Sequence, residues 1–565
     1  MPSSKQSPPL SLRDALTHKP RTLSFGTSGR RGDVVDLTQL EIYINARAEL
    51  DYLQHRPAAE GGIRAGGTFF FAHDLRPSST QFVAEQGGRG EIAQAIEHAI
   101  RDAGMIPVNL GAIPTPALTI FALRRSSGSM MITGSHIPFH RNGYKTNSAT
   151  GELLKNDEAP IAAYVERWRT QIYDTSSAES PFDSNGQFKS GSRPVLPADP
   201  RAAKEYLLRY LDFFGQDSLR GLRILLYQHS AVGRDMLAEC LTGLGASVTA
   251  IGRSETFIPI DTEAIDDTTL DAIRSLAADA SRDGQRFDAV VSTDGDSDRP
   301  LLVGLDYSRG GECRARFFGG DLVGMVVAES LGAKSVVVPI SCNDAIERGA
   351  LASVLEPRTR IGSPYVIAGM LAALESGAQK VCGWEANGGF LTGSDFDGPS
   401  KPLPALPTRD AFLPILCVLR RMAVEHAPMH ALFDALPRRF SKAGLLRACP
   451  RVASQSVINA LSRDAPRTAC EAPPPNLMRV VMLYFTAQLG FGSLARVDYT
   501  DGVRLYFSNG DIAHIRPSGN ADELRIYAVA DNQERANAIV EAGISEPNGI
   551  LRQMLADFTS AGLTD

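Results

Sequence analysis

Asp294, Asp296 and Asp298 stand at alternate positions in the run Asp294-Gly295-Asp296-Ser297-Asp298-Arg299, directly after the apolar stretch Phe287 to Val291. A turn at the carboxyl end of a strand is where open α/β sheets place their ligands. Three carboxylates at this spacing, with a glycine to permit a tight bend, can converge on one hard cation. Magnesium favours oxygen ligands and usually keeps a phosphate oxygen in its shell. A calcium loop of the EF-hand kind would need Glu at its twelfth position, which is Leu305. The plainer reading is an acidic turn capping a helix, but Pro300 and strand-like residues follow, so there is no helix to cap.

Thr133-Gly134-Ser135-His136-Ile137-Pro138 follows the apolar run Met130-Met131-Ile132, with Lys145 ten residues beyond the serine. A Ser beside Gly at a strand end can present its hydroxyl, and a neighbouring His and Lys can supply charge and proton transfer. By itself this is a weak signal, since Ser-His is a common dipeptide. Arg516-Pro517-Ser518-Gly519-Asn520 follows a strand ending at Ile515. Its arginine offers a planar fork for phosphate, while Ser518, Asn520 and the backbone around Gly519 add neutral donors. Glu385-Ala386-Asn387-Gly388-Gly389 places a carboxylate and an amide on a glycine loop, a combination suited to hydroxyl recognition. Read singly, either loop is also an ordinary turn. Phe25 to Gly32 is a glycine-rich loop carrying Arg30 and Arg31 that could cradle phosphate, though it fits neither a Walker A nor a dinucleotide fingerprint.

The elements that must hold these loops recur. Phe69 to Ala72, a helical stretch Glu91 to Ala103 and Ile106 to Leu110 read as strand, helix, strand. Arg223 to Tyr227, a helix Gly233 to Leu244 and Ser247 to Ile251 repeat the pattern, and Ser335 to Ile340 opens a third copy whose helix is expected from Asn343. Such βαβ units build sheets covered by helices. The Ser- and Pro-rich stretch Asp174 to Pro200 reads as a loop between the first and second copies. After about Arg438 the pattern becomes hairpin-like, with strands at Val503–Phe507, Asp511–Ile515 and Leu524–Val529 and a helix from Asn532 to Ala542. The expectation is α/β architecture in four parts: three tandem related domains with mixed or parallel sheets, 1–190, 196–310 and 311–437, and a smaller α+β domain, 438–565.

Composition narrows the partners. The chain has 565 residues, too many for one core, and a formal net charge of −6, which argues against a general grip on nucleic acid. No stretch approaches the ~18–20 apolar residues of a membrane span. The polar N-terminus lacks the apolar core of a signal peptide. Seven scattered cysteines without a C-x-x-C pair fit a reducing, cytoplasmic setting.

Taken in order, the five loops resemble the α-D-phosphohexomutase superfamily from Phe25 to Tyr527. The resemblance implies four domains around a central cleft, and an intramolecular phosphotransferase that interconverts hexose 6-phosphate and hexose 1-phosphate through a bisphosphorylated intermediate. It makes Ser135 the phosphoserine, with His136, Lys145 and Arg31 beside the reacting group. Asp294, Asp296, Asp298 and a Ser135 oxygen would hold Mg2+, with Arg299 at the same site. Glu385 and Asn387 would bind sugar hydroxyls. Arg516, Ser518, Gly519 and Asn520 would hold the non-reacting phosphate. A hexose 1,6-bisphosphate would serve as activator, and a monomer or homodimer is expected. There are departures: Ile137 replaces the family's usual Asn, Asn387 and Gly389 replace Ser and His, Asn520 replaces Thr, and Arg360 to Tyr365 lacks a His that some members carry. The Glu-Ala-Asn-Gly-Gly form is similar to sequences usually called phosphomannomutases, so mannose phosphates are favoured, with glucose or glucosamine phosphates as the alternative. A phosphatase and an inactive sugar-phosphate-binding protein are the remaining readings.

Overall fold

The computed structural model describes residues 10–26, 28–307, 313–462, 473–518 and 522–560. Its elements form four large sheets, and the first three share one plan. In the first, Thr68–His73 pairs in parallel with Ile106–Ala112 on one side and Ser129–Ile132 on the other. The chain then doubles back, so that Arg141–Ser148 runs antiparallel to Ser129–Ile132. The second sheet repeats this with Ser247–Arg253, Arg223–His229 and Ala289–Thr293 in parallel and Pro300–Tyr307 returning antiparallel. In the third, Ser335–Val337 is parallel to Val381–Trp384, and Phe390–Thr392 returns antiparallel. Parallel bridges at Leu355 and Thr359 mark its outer edge.

Each functional loop is thus the same piece of the fold. Residues 133–140, 294–299 and 385–389 all join the last parallel strand to its antiparallel return. The strand beyond the antiparallel return differs in origin. Sheets two and three take it from the chain that follows, Cys313–Phe317 and Leu406–Asp410. Sheet one takes it from residues that come before, Arg30–Asp33, which pairs with Arg141–Ser148. The fourth sheet is wholly antiparallel, in the order Phe440–Leu446, Leu524–Ala530, Ile512–Pro517, Val503–Phe507, Leu494–Asp498.

The helices follow from their apolar faces. Gln39–His55 begins where Thr38 Oγ1 accepts the Glu41 N–H at 3.1 Å, and Ile92–Asp102 buries Ile92, Ala95, Ile96, Ala99 and Ile100 against it. Thr115–Leu123 is apolar all round, because it lies between sheets rather than on a surface. It joins Tyr206, Tyr210 and Phe412 in a core shared by the first three sheets. No helix of the described residues is long and apolar enough to cross a membrane.

Two expectations change. The third copy has no helix at Asn343: there are only short 3-10 turns at Asp344–Glu347 and Ala352–Val354, and the covering helix is Ser363–Glu375. Asn343 spends its side chain on the Ala345 N–H and the Arg439 carbonyl, while Pro364 at the first turn suits a helix start. The stretch after Asp174 carries no helix or strand up to Pro200, yet it is not a free linker: Phe182 and Phe188 are buried against Tyr43 in the first core.

Phe121 is fully buried in the shared core, edge-on to Phe70 at 5.2 Å. Phe121→Ala should cost about 3–5 kcal/mol, read as a lower thermal midpoint with the secondary structure of the surviving fold unchanged.

Candidate active site

Ser135 sits in the hairpin turn of the first sheet with φ +53°, a left-handed conformation that costs a non-glycine residue about 1 kcal/mol. Its N–H donates to Thr133 Oγ1 at 2.7 Å. The turn is held from beneath by Arg76, which is fully buried and donates to the carbonyls of Ser135, Ile137, Pro138 and Arg141. The Phe257 ring, from the second sheet's side, covers that guanidinium at 3.8 Å. Burial lowers the Arg76 pKa to about 10.

The Ser135 Oγ donates to Asp294 Oδ2 at 2.6 Å, across 159 residues of sequence. Asp294 Oδ1 accepts the N–H groups of Asp298 and Arg299, closing the acidic loop on itself. Gly295 is required there, since a Cβ would stand 2.6 Å from the Ser135 carbonyl oxygen. The three carboxylates are 0–1% exposed, and each offers an oxygen within 4.8 Å of the others. Their outer oxygens are anchored. Asp296 Oδ2 accepts from Thr115 Oγ1 at 2.7 Å and Lys145 Nζ at 2.7 Å. Asp298 Oδ2 accepts from Lys145 Nζ at 2.6 Å and from Arg409 at 2.9 and 3.1 Å. Asp296 Oδ1 and Asp298 Oδ1 are buried and accept no hydrogen bond. Buried carboxylate oxygens that accept no hydrogen bond, beside a seryl oxygen, fit a hard divalent cation.

Electrostatics separate the three acids. Burial and then the charges of Asp296 and Asp298 push Asp294 well above the usual carboxylate range. Burial opposes the charge of Asp296 and Asp298 too, but Lys145 at the first and Arg409 at the second hold both below it. His136 Nδ1 lies 3.3 Å from Ser135 Oγ, and burial followed by Arg299 lowers the ring to about 3, so it is neutral. Arg299 reaches Asp298 at 3.6 Å and Asp294 at 4.0 Å. Arg31, lowered to about 10 by burial, donates to the Arg30 and Tyr144 carbonyls.

The sugar-loop candidate comes to the same place. Arg409, on the last strand of the third sheet, donates to Glu385 Oε2 at 2.8 Å with the guanidinium that also holds Asp298. Asn387 Oδ1 accepts the Gly389 N–H at 3.0 Å. A Cβ at Gly389 would lie 2.5 Å from Arg409 Cδ, so the glycine that stands in place of the family's His leaves room for this arginine. In the fourth sheet Arg516 pairs with Asp501 at 3.1 Å, and the Ser518 N–H donates to the Glu523 carbonyl at 2.9 Å. Gly519 and Asn520 lie outside the described residues. Arg31, Ser135, His136, Lys145, Arg299, Glu385, Asn387, Arg516 and Ser518 all line one cavity of about 60 Å³. Ile137 and Ile361 supply apolar patches in its wall.

Sequence reasoning missed Arg409, Arg76, Thr115 and the pair Asp261 and Glu263. Arg409 sits in Pro407-Thr408-Arg409-Asp410, with no motif around it. It is 3% exposed, and nothing in the residues around it signals that burial.

Family models agree with this layout. The phosphoglucomutase/phosphomannomutase alpha/beta/alpha domain I matches residues 22–171, domain III matches 319–440, and the C-terminal domain matches 471–544. A phosphomannomutase of Sinorhizobium fredii is 38% identical over 93% of this chain and 98% of its own length. The chain belongs to the phosphoglucomutase/phosphomannomutase family. A second relative, a phosphomannomutase of Salmonella muenchen, is 35% identical over 93% of the chain and 95% of its own. The fold of this family member is shared with a phosphoglucomutase/phosphomannomutase family protein of Burkholderia thailandensis, at TM-score 0.62 and 17% identity, covering 94% of this chain and 97% of that one.

The Thr115 hydroxyl donates only to Asp296. Thr115→Val should weaken Mn2+ binding about tenfold, measured by electron paramagnetic resonance, with the thermal midpoint little changed.

Proposed function

We propose that the protein is a phosphohexomutase that interconverts the 6- and 1-phosphates of a hexose through a phosphoserine at Ser135, with mannose phosphates the favoured substrates. The observation that carries the reading is the 2.6 Å approach of the Ser135 Oγ to a buried triad of aspartates, in a cavity that Arg516 and Ser518 also line. Mannose is favoured because both relatives named above are phosphomannomutases and align over nearly the whole chain.

Phosphoryl transfer passes through a loose transition state, so position and charge dominate. A magnesium ion held by Asp294, Asp296 and Asp298 would neutralise phosphoryl oxygens and make Ser135 a better leaving group. The Ser135 Oγ–phosphorus bond breaks as an oxygen–phosphorus bond to the sugar hydroxyl forms. Lys145 or His136 takes the hydroxyl's proton and returns it to the freed Ser135 Oγ, beside which neutral His136 presents Nδ1 at 3.3 Å. Lys145 directs its N–H groups at Asp296 and Asp298, which orients their inner oxygens. Arg31 and Arg299 face the reacting phosphoryl group. Glu385 and Asn387 take sugar hydroxyls. Arg516 and Ser518, with Gly519 and Asn520, hold the phosphate at the far end, and the sugar must turn end for end so that both positions meet one centre.

Ser135→Ala should abolish incorporation of labelled phosphate from hexose 1,6-bisphosphate and lower kcat by at least about a thousandfold. Full activity in that variant would sink the phosphoserine. Arg516→Met should raise KM for mannose 6-phosphate about tenfold or more while phosphoserine still forms, as seen by intact mass. Equal or higher kcat/KM on glucosamine or glucose phosphates would move the assignment to those sugars.

A further inference from the structure

One segment without a motif touches the acidic loop, the sugar loop and the fourth sheet. Asp261, Thr262 and Glu263 lie between the strand Ser247–Arg253 and the helix Asp267–Ala280 of the second sheet. Asp261 Oδ1 accepts the Glu263 N–H at 3.1 Å and stands 3.9 Å from Arg299. Thr262 Oγ1 donates to the Asn387 carbonyl at 2.8 Å, which ties the segment to the sugar loop. Glu263 Oε2 lies 3.6 Å from Arg525, and the two side chains are only 11% and 16% exposed.

Arg525 is the cross-strand neighbour of Arg516. Two guanidinium groups side by side repel each other unless an anion lies between or beside them. Arg516 has Asp501 in its own sheet, and Arg525 has Glu523 at 3.4 Å. Glu263 is the anion that comes from a different sheet, and it lines the cavity beside Arg516, Ser518 and Tyr527. A phosphate placed on Arg516 would therefore meet a carboxylate already paired with the neighbouring cation.

We propose that Glu263 is a built-in competitor for the phosphate seat: it pairs with Arg525 when no phosphate is held there, is displaced when one arrives, and so sets how fast that phosphate is let go. This rests on the mutase reading, in which the bisphosphorylated sugar must leave Arg516 by one end and return by the other. Too firm a grip would trap the intermediate in one orientation, because binding the ground state and transition state equally gives no rate.

The test is a double-mutant cycle with Glu263→Gln and Arg525→Gln. In the Ser135→Ala background, where no phosphoryl transfer occurs, calorimetry with mannose 6-phosphate should give a Kd about tenfold lower for the Glu263→Gln variant, since Arg525, released from the carboxylate, can then hydrogen-bond the phosphate, and a hydrogen bond to a charged group has an effect of about that size. With Ser135 intact, kcat should fall while KM falls with it. Both effects should vanish in the Arg525→Gln background. Glu263→Met, which also lacks the charge, should behave like the Gln variant and covers the case of a misfolded amide substitution. Unchanged Kd and kcat in Glu263→Gln alongside normal wild-type turnover would overturn this inference alone, as would a gain that persists without Arg525. A wild-type protein that neither binds nor converts any hexose phosphate would bring down the mutase reading, and this inference with it.

Discussion

Three carboxylates shut away from water cannot remain charged beside one another unless cations are brought to them, and the arrangement of the sheets answers that requirement. Lys145 arrives from the first sheet's returning strand, Arg299 from the acidic loop itself, and Arg409 from the last strand of the third sheet. None of these could neutralise the triad from its own unit alone. Leaving a buried charge without its partner is worth about 3–5 kcal/mol, a large share of the stability of a folded chain. The docking of the first three sheets on one another is therefore fixed by electrostatics at the cleft as much as by the apolar core behind it.

Repetition of one plan explains how distant residues meet. A turn that leads from a parallel strand into an antiparallel return lies at the carboxyl edge of its sheet. Three such sheets present three turns to a common space, which Arg516 and Ser518 of the fourth sheet also line. The chemistry differs between turns, with a hydroxyl on one, carboxylates on another, a carboxylate and amide on the third and a guanidinium beside the fourth, while the first three share one backbone solution.

Much of this could be read in the residues. The acidic run was legible because alternate aspartates after an apolar strand, with proline behind them, have few other uses. The serine was not convincing until its order among the other loops was considered, since a hydroxyl gains meaning only from what it faces. Arg409 was illegible for the same reason: an arginine in a short strand has no local signature, and its role is set by Asp298 and Glu385, which lie far away in the chain. Arg76 was hidden in a polar turn, where four backbone carbonyls are its partners and backbone leaves no trace in side-chain pattern. The helix expected at Asn343 failed because strand-helix-strand regularity was extended to a stretch where the asparagine's own hydrogen bonds favour a tight turn. Glu263 could not be found at all from sequence, since only the approach of the fourth sheet gives it a partner.

The origin of the first sheet's closing strand has a consequence for how the protein forms. In the second and third sheets the strand beyond the return follows its neighbour closely, so its pairing closes a short loop. In the first, Arg30 meets Tyr144 only after the intervening helices and strands have been laid down, a contact of high sequence separation that is entropically slow to make. Arg31 rides on that strand. The seryl turn can thus be shaped by its own hairpin well before the arginine beside it is delivered, and the reactive corner of the molecule is among the last parts of its sheet to be completed.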